Sequence, residues 1–429
     1  MKFLLSTYGS RGDVEPLLSL GQRLLARGHQ VVICAPPNFS ELSRLRGLSF
    51  HAAGRDFRGI LDGPQSNSHV LLESLRDTDA QYAALKKAAA GCDLVVATAL
   101  QFAARTVAEE LSVPYRYAVL SPMYLRSTHL PPLALPFRSL PGWLHRLIWR
   151  VEDSRELRHA QWLRAKRRRL GVPDFSSLHL HLLGDAPVLG AFDPVLGSLT
   201  PSASLSSLSS LSSLSSPMDA PDLSGWDRGS ESYDGVPVRV TGYWRLPSGK
   251  KLSRAAEDFL ASGPPPVYVG FGSMRPRDSR FLWRSLIPAV LESGQRVVVG
   301  RGWADSPMER AVNLLVVDEE PHDLLFPRVA VAVHHGGAGT TAAAAIAGVP
   351  QLIVPHLGDQ LFHGLQVARL GIGVDPMPLK RISPRALMDA LGNLSSERPL
   401  ARRAAEFAVG LREREGSALA AEILEQAAS

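Results

Sequence analysis

Cysteine is nearly missing from the 429 residues: Cys34 and Cys92 are the only two. Two thiols supply neither a disulfide framework nor, unaided, a zinc site, so a reduced compartment is expected, taken as cytoplasmic. Lysine is scarce as well. Only seven of the 47 basic residues are Lys, an arginine bias that reflects codon usage beside abundant Ala and Leu more than a phosphate-binding design. The net charge of +6 therefore carries no expectation of a nucleic-acid partner. No window approaches 18 consecutive apolar residues, so no transmembrane segment is expected. Residues 1–7 lack the long apolar stretch and small-residue cleavage site of a signal peptide. Neither a GxGxxG fingerprint nor a Gly-Lys-Ser/Thr phosphate loop is present, which argues against dinucleotide binding and nucleotide hydrolysis.

What remains is a globular composition, 45% hydrophobic and 21% charged, too long for one core and suited to two or three domains. Strand and helix patterns alternate from the start. Residues 2–7 form a short apolar run, 15–27 have helical periodicity, Gly28 stops them and 30–35 read as the next strand. Residues 94–98, 103–111 and 115–120 repeat the rhythm. Such alternation predicts an α/β fold with a parallel sheet covered by helices on both faces.

The rhythm breaks across 121–150, where Pro122, Pro131, Pro132, Pro136 and Pro141 exclude a continuous helix or a central strand. Two readings stand, a pocket-forming loop and an irregular surface segment. On the first, Met123, Tyr124, Phe137, Trp143 and Trp149 are candidate walls of an apolar acceptor pocket. Residues 152–169 hold acids early and bases late (Arg164, Lys166, Arg167, Arg168, Arg169), as on a solvated helix face. Residues 202–216 read SASLSSLSSLSSLSS, whose period of three suits neither helix nor strand. A flexible insertion is expected there, with a short amphipathic turn as the alternative.

A second α/β series follows, with strands expected near 238–241, 267–270, 295–299, 314–317, 329–333 and 351–354. Helices are expected at 280–293, 340–348 and 360–370, and an Ala-, Glu- and Arg-rich helix over 400–428. The chain is thus divided into a first half (1–199), a linker (200–235), a second half (236–410) and a closing helix (411–429).

Four segments carry chemistry. Residues 329–341 read VAVAVHHGGAGTT, an apolar strand running through a Gly-rich turn into a helix. That arrangement gathers unpaired backbone N–H groups and a positive helix end at one point, which suits a phosphate. His335, Thr340 and the close backbone approach permitted by Gly337 and Gly339 add to it. A plain tight turn is the competing reading. Residues 354–364, VPHLGDQLFHG, place Asp359 and Gln360 after the next strand, an acid and an amide suited to sugar hydroxyls. An Asp at a helix start is also an ordinary N-cap. Residues 8–16, YGSRGDVEP, put Asp13 at the first turn, either as another cap or as a carboxylate aimed across a cleft. Residues 267–274, VYVGFGSM, end a strand in a Gly-Ser loop.

Together these segments, with RGWAD at 301–305, resemble the GT-B glycosyltransferases, specifically the bacterial natural-product branch related to glycopeptide, macrolide and sterol glycosyltransferases. The resemblance covers the chain outside 200–235. It implies two Rossmann-like domains facing across a cleft, with a C-terminal helix packing back on the first half. It assigns Asp13 as general base with Ser10 close to the reacting sugar. The nucleotide diphosphate is implied to be held by His335, Gly337, Gly339, Thr340 and Ser273, and donor-sugar hydroxyls by Asp359 and Gln360. Trp303, Val317 and His322 are implied at the base and ribose. His363 departs from the resemblance, since many relatives carry an aromatic residue there.

The implied reaction is inverting hexosyl transfer. A nucleotide sugar donor (a UDP- or dTDP-sugar) gives glucose or a deoxysugar to a hydroxyl of a hydrophobic small-molecule acceptor. A sterol or lipid glucosyltransferase is the alternative acceptor class. A nucleotide-sugar epimerase and a non-catalytic binding module are the alternative functions. No cofactor and no metal are expected: Asp77 and Asp79, although spaced as Asp-x-Asp, follow a helical stretch and read as surface acids, and adjacent His334 and His335 point to opposite sides.

Overall fold

A computed structural model of the chain describes residues 1–61, 67–126, 142–197, 230–233, 236–272, 282–301, 310–356, 358–378, 381–396 and 398–428. Two sheets organise it. The first contains β1 (Lys2–Tyr8), β2 (Gln30–Ala35), β3 (Ser49–Ala52), β4 (Leu94–Ala99), β5 (Tyr115–Val119), β6 (Val188–Gly190), β7 (Ser230–Tyr233) and β8 (Val236–Val240). Their order across the sheet is β3-β2-β1-β4-β5-β6-β8-β7, parallel except for β7. The second contains β9 (Val267–Gly270), β10 (Val297–Gly300), β11 (Arg310–Ala311), β12 (Leu314–Val317), β13 (Val331–His334) and β14 (Gln351–Ile353), ordered β11-β12-β10-β9-β13-β14.

The apolar runs read from the sequence are buried on both faces, as parallel strands under helices require. Phe3, Leu4 and Leu5 of β1 are fully buried, Leu4 in one core and its neighbours in the other. Val297, Val298 and Leu314 do the same in the second sheet. In each sheet the strand order reverses beside the first strand of the series, between β1 and β4 and between β9 and β13. Crevices at such reversals, at the carboxyl ends of the strands, are where open α/β sheets bind ligands.

Three boundaries differ from expectation. Val236–Val240, expected to open the second half, pairs with β6 of the first sheet, and Ser230–Tyr233, placed in the linker, forms the antiparallel edge beside it. The Leu-Ser-Ser repeat lies outside the described residues. Helix Gly142–His159 begins within the stretch expected to be irregular, directly after the last of its prolines. A break at Ala160 separates it from helix Gln161–Leu170. On that second helix Arg164 and Arg168 are paired with Asp174, but Arg167 is buried against Glu109, Thr106 and the Pro173 carbonyl rather than solvated.

The expected closing helix is two, Arg398–Arg412 and Gly416–Ala428. The second packs on helix Arg11–Ala26 of the first half: Ala420, Ala421 and Leu424 share a fully buried cluster with Leu17, Leu20 and Leu24. Glu425 takes both Arg27 and His29, at 2.6 Å each. Between the two helices Arg414 reaches Asp193, a carboxylate only 2% exposed that also accepts from the Val195 and Leu196 N–H groups at 2.8 and 3.0 Å. Removing one partner of a buried pair leaves an uncompensated charge. Arg414→Ala is therefore expected to destabilise the protein by about 3 kcal/mol, with Asp193→Asn in that background recovering part of the loss in a thermal melt.

Candidate active site

The site is built where strands of both sheets end. Tyr8 closes β1, Gly9 turns the chain, and extended Ser10 (φ −80°, ψ −178°) precedes helix Arg11–Ala26. The Asp13 carboxylate folds back over that turn, Oδ2 accepting from the Ser10 N–H at 2.7 Å and from its hydroxyl at 3.1 Å. Gly9 leaves the room: a Cβ there would lie 2.3 Å from Oδ2. The capping reading thus holds in part, but it uses one oxygen. Burial pushes Asp13 up to about 6; the Ser10 hydrogen bonds oppose the shift, and the negative charge of Asp359 adds to it. A carboxylate tuned toward neutrality is suited to accept a proton there.

In the second half, β13 ends at His334, and the turn through Gly337 enters helix Ala338–Ala347 with no side-chain cap. First-turn N–H groups are left without intrahelical partners, the condition for an anion site. His334 is structural: its Nδ1 accepts from the Gly336 N–H at 3.1 Å, which places the ring proton on Nε2 facing the Gln351 side-chain Oε1 at 2.9 Å. His335 turns the other way, toward Gly272 two residues beyond β9, where an added Cβ would meet its Cε1 at 3.0 Å. Burial pushes His335 down to about 3, and its Nδ1 is buried without a partner. The ring is neutral and contributes a hydrogen-bonding dipole, not a cation.

A cleft of about 1080 Å³ runs beside this turn, lined by residues of both halves, among them Arg11, Gly272, Val317, His322, Gly339 and Thr340. Arg11 spans it, 2.8 Å from Glu319. His322 stacks on Phe326 with ring centroids 4.3 Å apart and faces the Tyr268 hydroxyl at 3.2 Å. Burial pushes His322 down to about 4, with Arg11 adding to the shift. Val317 is buried at the end of β12.

Asp359 precedes helix Gln360–Arg369 yet does not cap it. Its Oδ2 lies 3.1 Å from Nε2 of His363, one turn further on. Burial alone would raise Asp359, but His363 and the nearby Ser121 hydroxyl hold it below its ordinary value. Gln360 is buried, its side-chain Oε1 accepting from the His356 N–H at 2.7 Å, so that oxygen holds the loop closed. Asp13 and Asp359 come from opposite halves and sense one another, and both act on Tyr124, whose hydroxyl burial and the two carboxylates push well above its ordinary range.

The structure thus brings Ser10, Asp13, Tyr124 and Asp359 together from the sequence-derived set, with His335, Gly337, Gly339 and Thr340 on the neighbouring turn. Met123 is buried, while Trp143 is 62% exposed on the face of helix Gly142–His159 that also carries Leu147 and Val151, not set into a wall. Ser273, Trp303 and Phe137 lie outside the described residues. Asp77 is not a surface acid. It is buried, accepting from the Tyr8 hydroxyl and from Arg55 (N–H 2.7 Å, Nε 3.2 Å), while Asp79 is exposed. Among the described residues no three His, Cys, Asp or Glu side chains gather to hold a metal ion, and no helix is long and apolar enough to cross a membrane. Sequence reasoning missed Tyr243, whose buried hydroxyl lacks a hydrogen-bond partner and senses Asp193 and Asp359; no local pattern marks a lone Tyr in a connecting segment.

Residues 3–130 match the glycosyltransferase family 28 N-terminal domain, and residues 306–423 the erythromycin biosynthesis protein CIII-like C-terminal domain. Glycosyltransferase GtfE of Amycolatopsis orientalis is 37% identical over 440 residues, covering 99% of this chain and 97% of that protein. The chain is a GT-B glycosyltransferase of family 28. Vancomycin aglycone glucosyltransferase of the same organism is 34% identical to this glycosyltransferase, covering all of it and 98% of the relative. Its fold is similar to that of the kitacinnamycin glycotransferase, with a TM-score of 0.72 at 18% identity over 99% of this chain and 98% of the other. VinC in complex with dTDP gives 0.65 at 20% identity over 100% and 99%.

Proposed function

We propose that this glycosyltransferase moves a hexose, glucose or a deoxysugar, from a UDP- or dTDP-sugar to a hydroxyl of a hydrophobic natural product of the glycopeptide or polyketide kind, with inversion at the anomeric carbon. The observation that supports it most is the apposition of Asp13 and Asp359, from opposite halves, beside an uncapped helix end. Asp13 takes the proton of the acceptor hydroxyl. The acceptor oxygen attacks the anomeric carbon as the bond to the diphosphate oxygen breaks on the opposite face, and the nucleoside diphosphate leaves with the bonding electrons. Its growing charge meets the N–H groups of Gly339 and Thr340 and the neutral His335, which need no reorganisation. Asp359 holds sugar hydroxyls, with Gln360 closing the loop behind it. Ser273 and Trp303 are assigned to the diphosphate and the base on the resemblance, and Val317 and His322 to the base and ribose. Met123, Tyr124 and Phe137 are assigned to the acceptor side. No metal or other cofactor enters this scheme.

The relatives bear on the choice of substrate. Vancomycin aglycone glucosyltransferase and dTDP-epi-vancosaminyltransferase are matched over 98% and 85% of their lengths. Sterol 3-beta-glucosyltransferases are matched over 25% to 62% of theirs. A whole-length match favours the natural-product acceptor over the sterol. Family membership sets aside the epimerase and the passive binding module. The test offers UDP-glucose and dTDP-glucose with glycopeptide aglycones, macrolides and sterols, in buffer with and without EDTA. A β-glycoside of a natural product, formed equally in EDTA, is the expected result. Transfer to sterol alone, an epimer formed without acceptor, or activity lost to EDTA and restored by Mg²⁺ would each overturn the corresponding part.

A further inference from the structure

His363 is the feature that the reaction scheme leaves unused. It sits in the first turn of helix Gln360–Arg369, is fully buried, and is flanked by Phe362, also buried. Burying an imidazole among apolar neighbours is unfavourable unless its polar atoms find partners. Only one does. Nε2 faces Asp359 Oδ2 at 3.1 Å, whereas Nδ1 is buried with no hydrogen-bond partner. A leucine or phenylalanine would satisfy the packing without leaving an orphaned nitrogen, so packing does not explain this residue.

The geometry of Asp359 supplies the reason. A carboxylate at this position ordinarily caps the helix, accepting from the N–H groups of its first turn. Here it makes no capping bond, although its backbone stands directly before the helix. Residues four apart on a helix are neighbours, and the contact to His363 is of that kind. We propose that His363 is a positioning residue for the donor sugar: its Nε2–H draws the Asp359 carboxylate off the helix end and holds it facing Asp13 across the cleft. One oxygen is engaged by the ring and the other is presented to sugar hydroxyls. This inference rests on the assignment of Asp359 to the donor sugar. It predicts a role for His363 in sugar affinity and none in diphosphate affinity.

The test compares His363→Phe, His363→Leu and His363→Gln with the wild-type protein, using UDP-glucose and dTDP-glucose as donors and free UDP and dTDP as competing inhibitors. Phe and Leu cannot donate a hydrogen bond, and Leu covers the case in which a larger ring disturbs folding. Both are expected to raise the donor KM about ten- to a hundred-fold, the range of a lost hydrogen bond to a charged group. The inhibition constant of the free diphosphate should stay within about twofold, and the donor KM of His363→Gln, whose amide N–H can reach Asp359, within about threefold of wild type. A parallel loss of donor and diphosphate affinity, or a Gln variant as impaired as Leu, would show that His363 only packs. Asp359→Asn separates the two levels. If its donor KM is unchanged, the sugar assignment of Asp359 fails; if Asp359→Asn is impaired and His363→Leu is not, only the role of His363 fails.

Discussion

Replacing Asp13 with Asn lowers kcat about 10²- to 10⁴-fold, the range for loss of a positioned general base, with folding and donor KM nearly unchanged. The separation follows from the local geometry. Asp13 does two things: it closes the first helical turn through Oδ2 and, in the proposed reaction, it accepts a proton. The Asn carbonyl oxygen can still accept from the Ser10 N–H and hydroxyl, so the turn survives while the base is lost. The wild-type pH profile carries the same signature. With Asp13 raised to about 6, the base is charged above that pH and protonated below it, so kcat/KM should fall as pH drops through about 6. Removing the opposing charge with Asp359→Asn lowers the proton affinity of Asp13, and the acid limb should move to lower pH. Steady-state kinetics over pH 4.5 to 8 check both (roughly the range that brackets a carboxylate so shifted). A fully active Asp13→Asn variant would remove Asp13 from the chemistry.

The second large effect separates two glycines of one turn. Gly336 has φ +89°, and a Cβ there would lie 2.6 Å from Ile353 Cγ2 and 2.9 Å from the Gln360 carbonyl oxygen. The left-handed backbone and the collision with neighbouring backbone together make Gly336→Ala expected to cost about 2–5 kcal/mol. The turn also presses on the start of the helix that follows Asp359, so donor binding should be lost with the stability. Gly339 is the opposite case. It lies within helix Ala338–Ala347 and nothing is within 4 Å of an added Cβ. Gly339→Ala is expected to raise stability by up to about 1 kcal/mol through helix propensity, yet to weaken diphosphate binding because the methyl group enters the cleft. Thermal melts paired with UDP and dTDP titrations distinguish the two. If Gly339→Ala binds both diphosphates as tightly as wild type, the backbone of that turn does not contact phosphate.

Much of the site was legible because it is local. Strand, Gly-rich turn and helix are consecutive in 329–341, and the observed strand and helix fall within two residues of the pattern. The strands at Val267–Gly270 and Leu314–Val317 coincide with their apolar runs. Elsewhere a correct local reading did not decide the partner. Val236–Val240 has a strand pattern, but hydropathy does not say which sheet a strand joins, and pairing with β6 puts it in the first. Arg167 reads as one more solvated base until Glu109 and Thr106, about sixty residues earlier, are folded against it. Asp77 likewise takes its meaning from Tyr8 and Arg55.

The C-terminal segment and the scarcity of cysteine mark the boundary well. Helix formers dominate 400–428, and its two glycines, Gly410 and Gly416, do not by themselves say where the helix stops. It breaks because Arg414 must reach Asp193 and because Gly416 approaches the Gly242 carbonyl so closely that a Cβ would lie 2.4 Å from it. The class is legible along the chain: two cysteines, no long apolar run, and two α/β series, the second with a Gly-rich turn whose consecutive residues suit an anion. Both cysteines are indeed buried free thiols within the first core. What faces what was settled by folding, because Asp13 and Asp359 are separated by more than three hundred residues. Their mutual influence, and the hold of His363 on one of them, arises where two sheets meet across a cleft, and no window along the chain contains both sides.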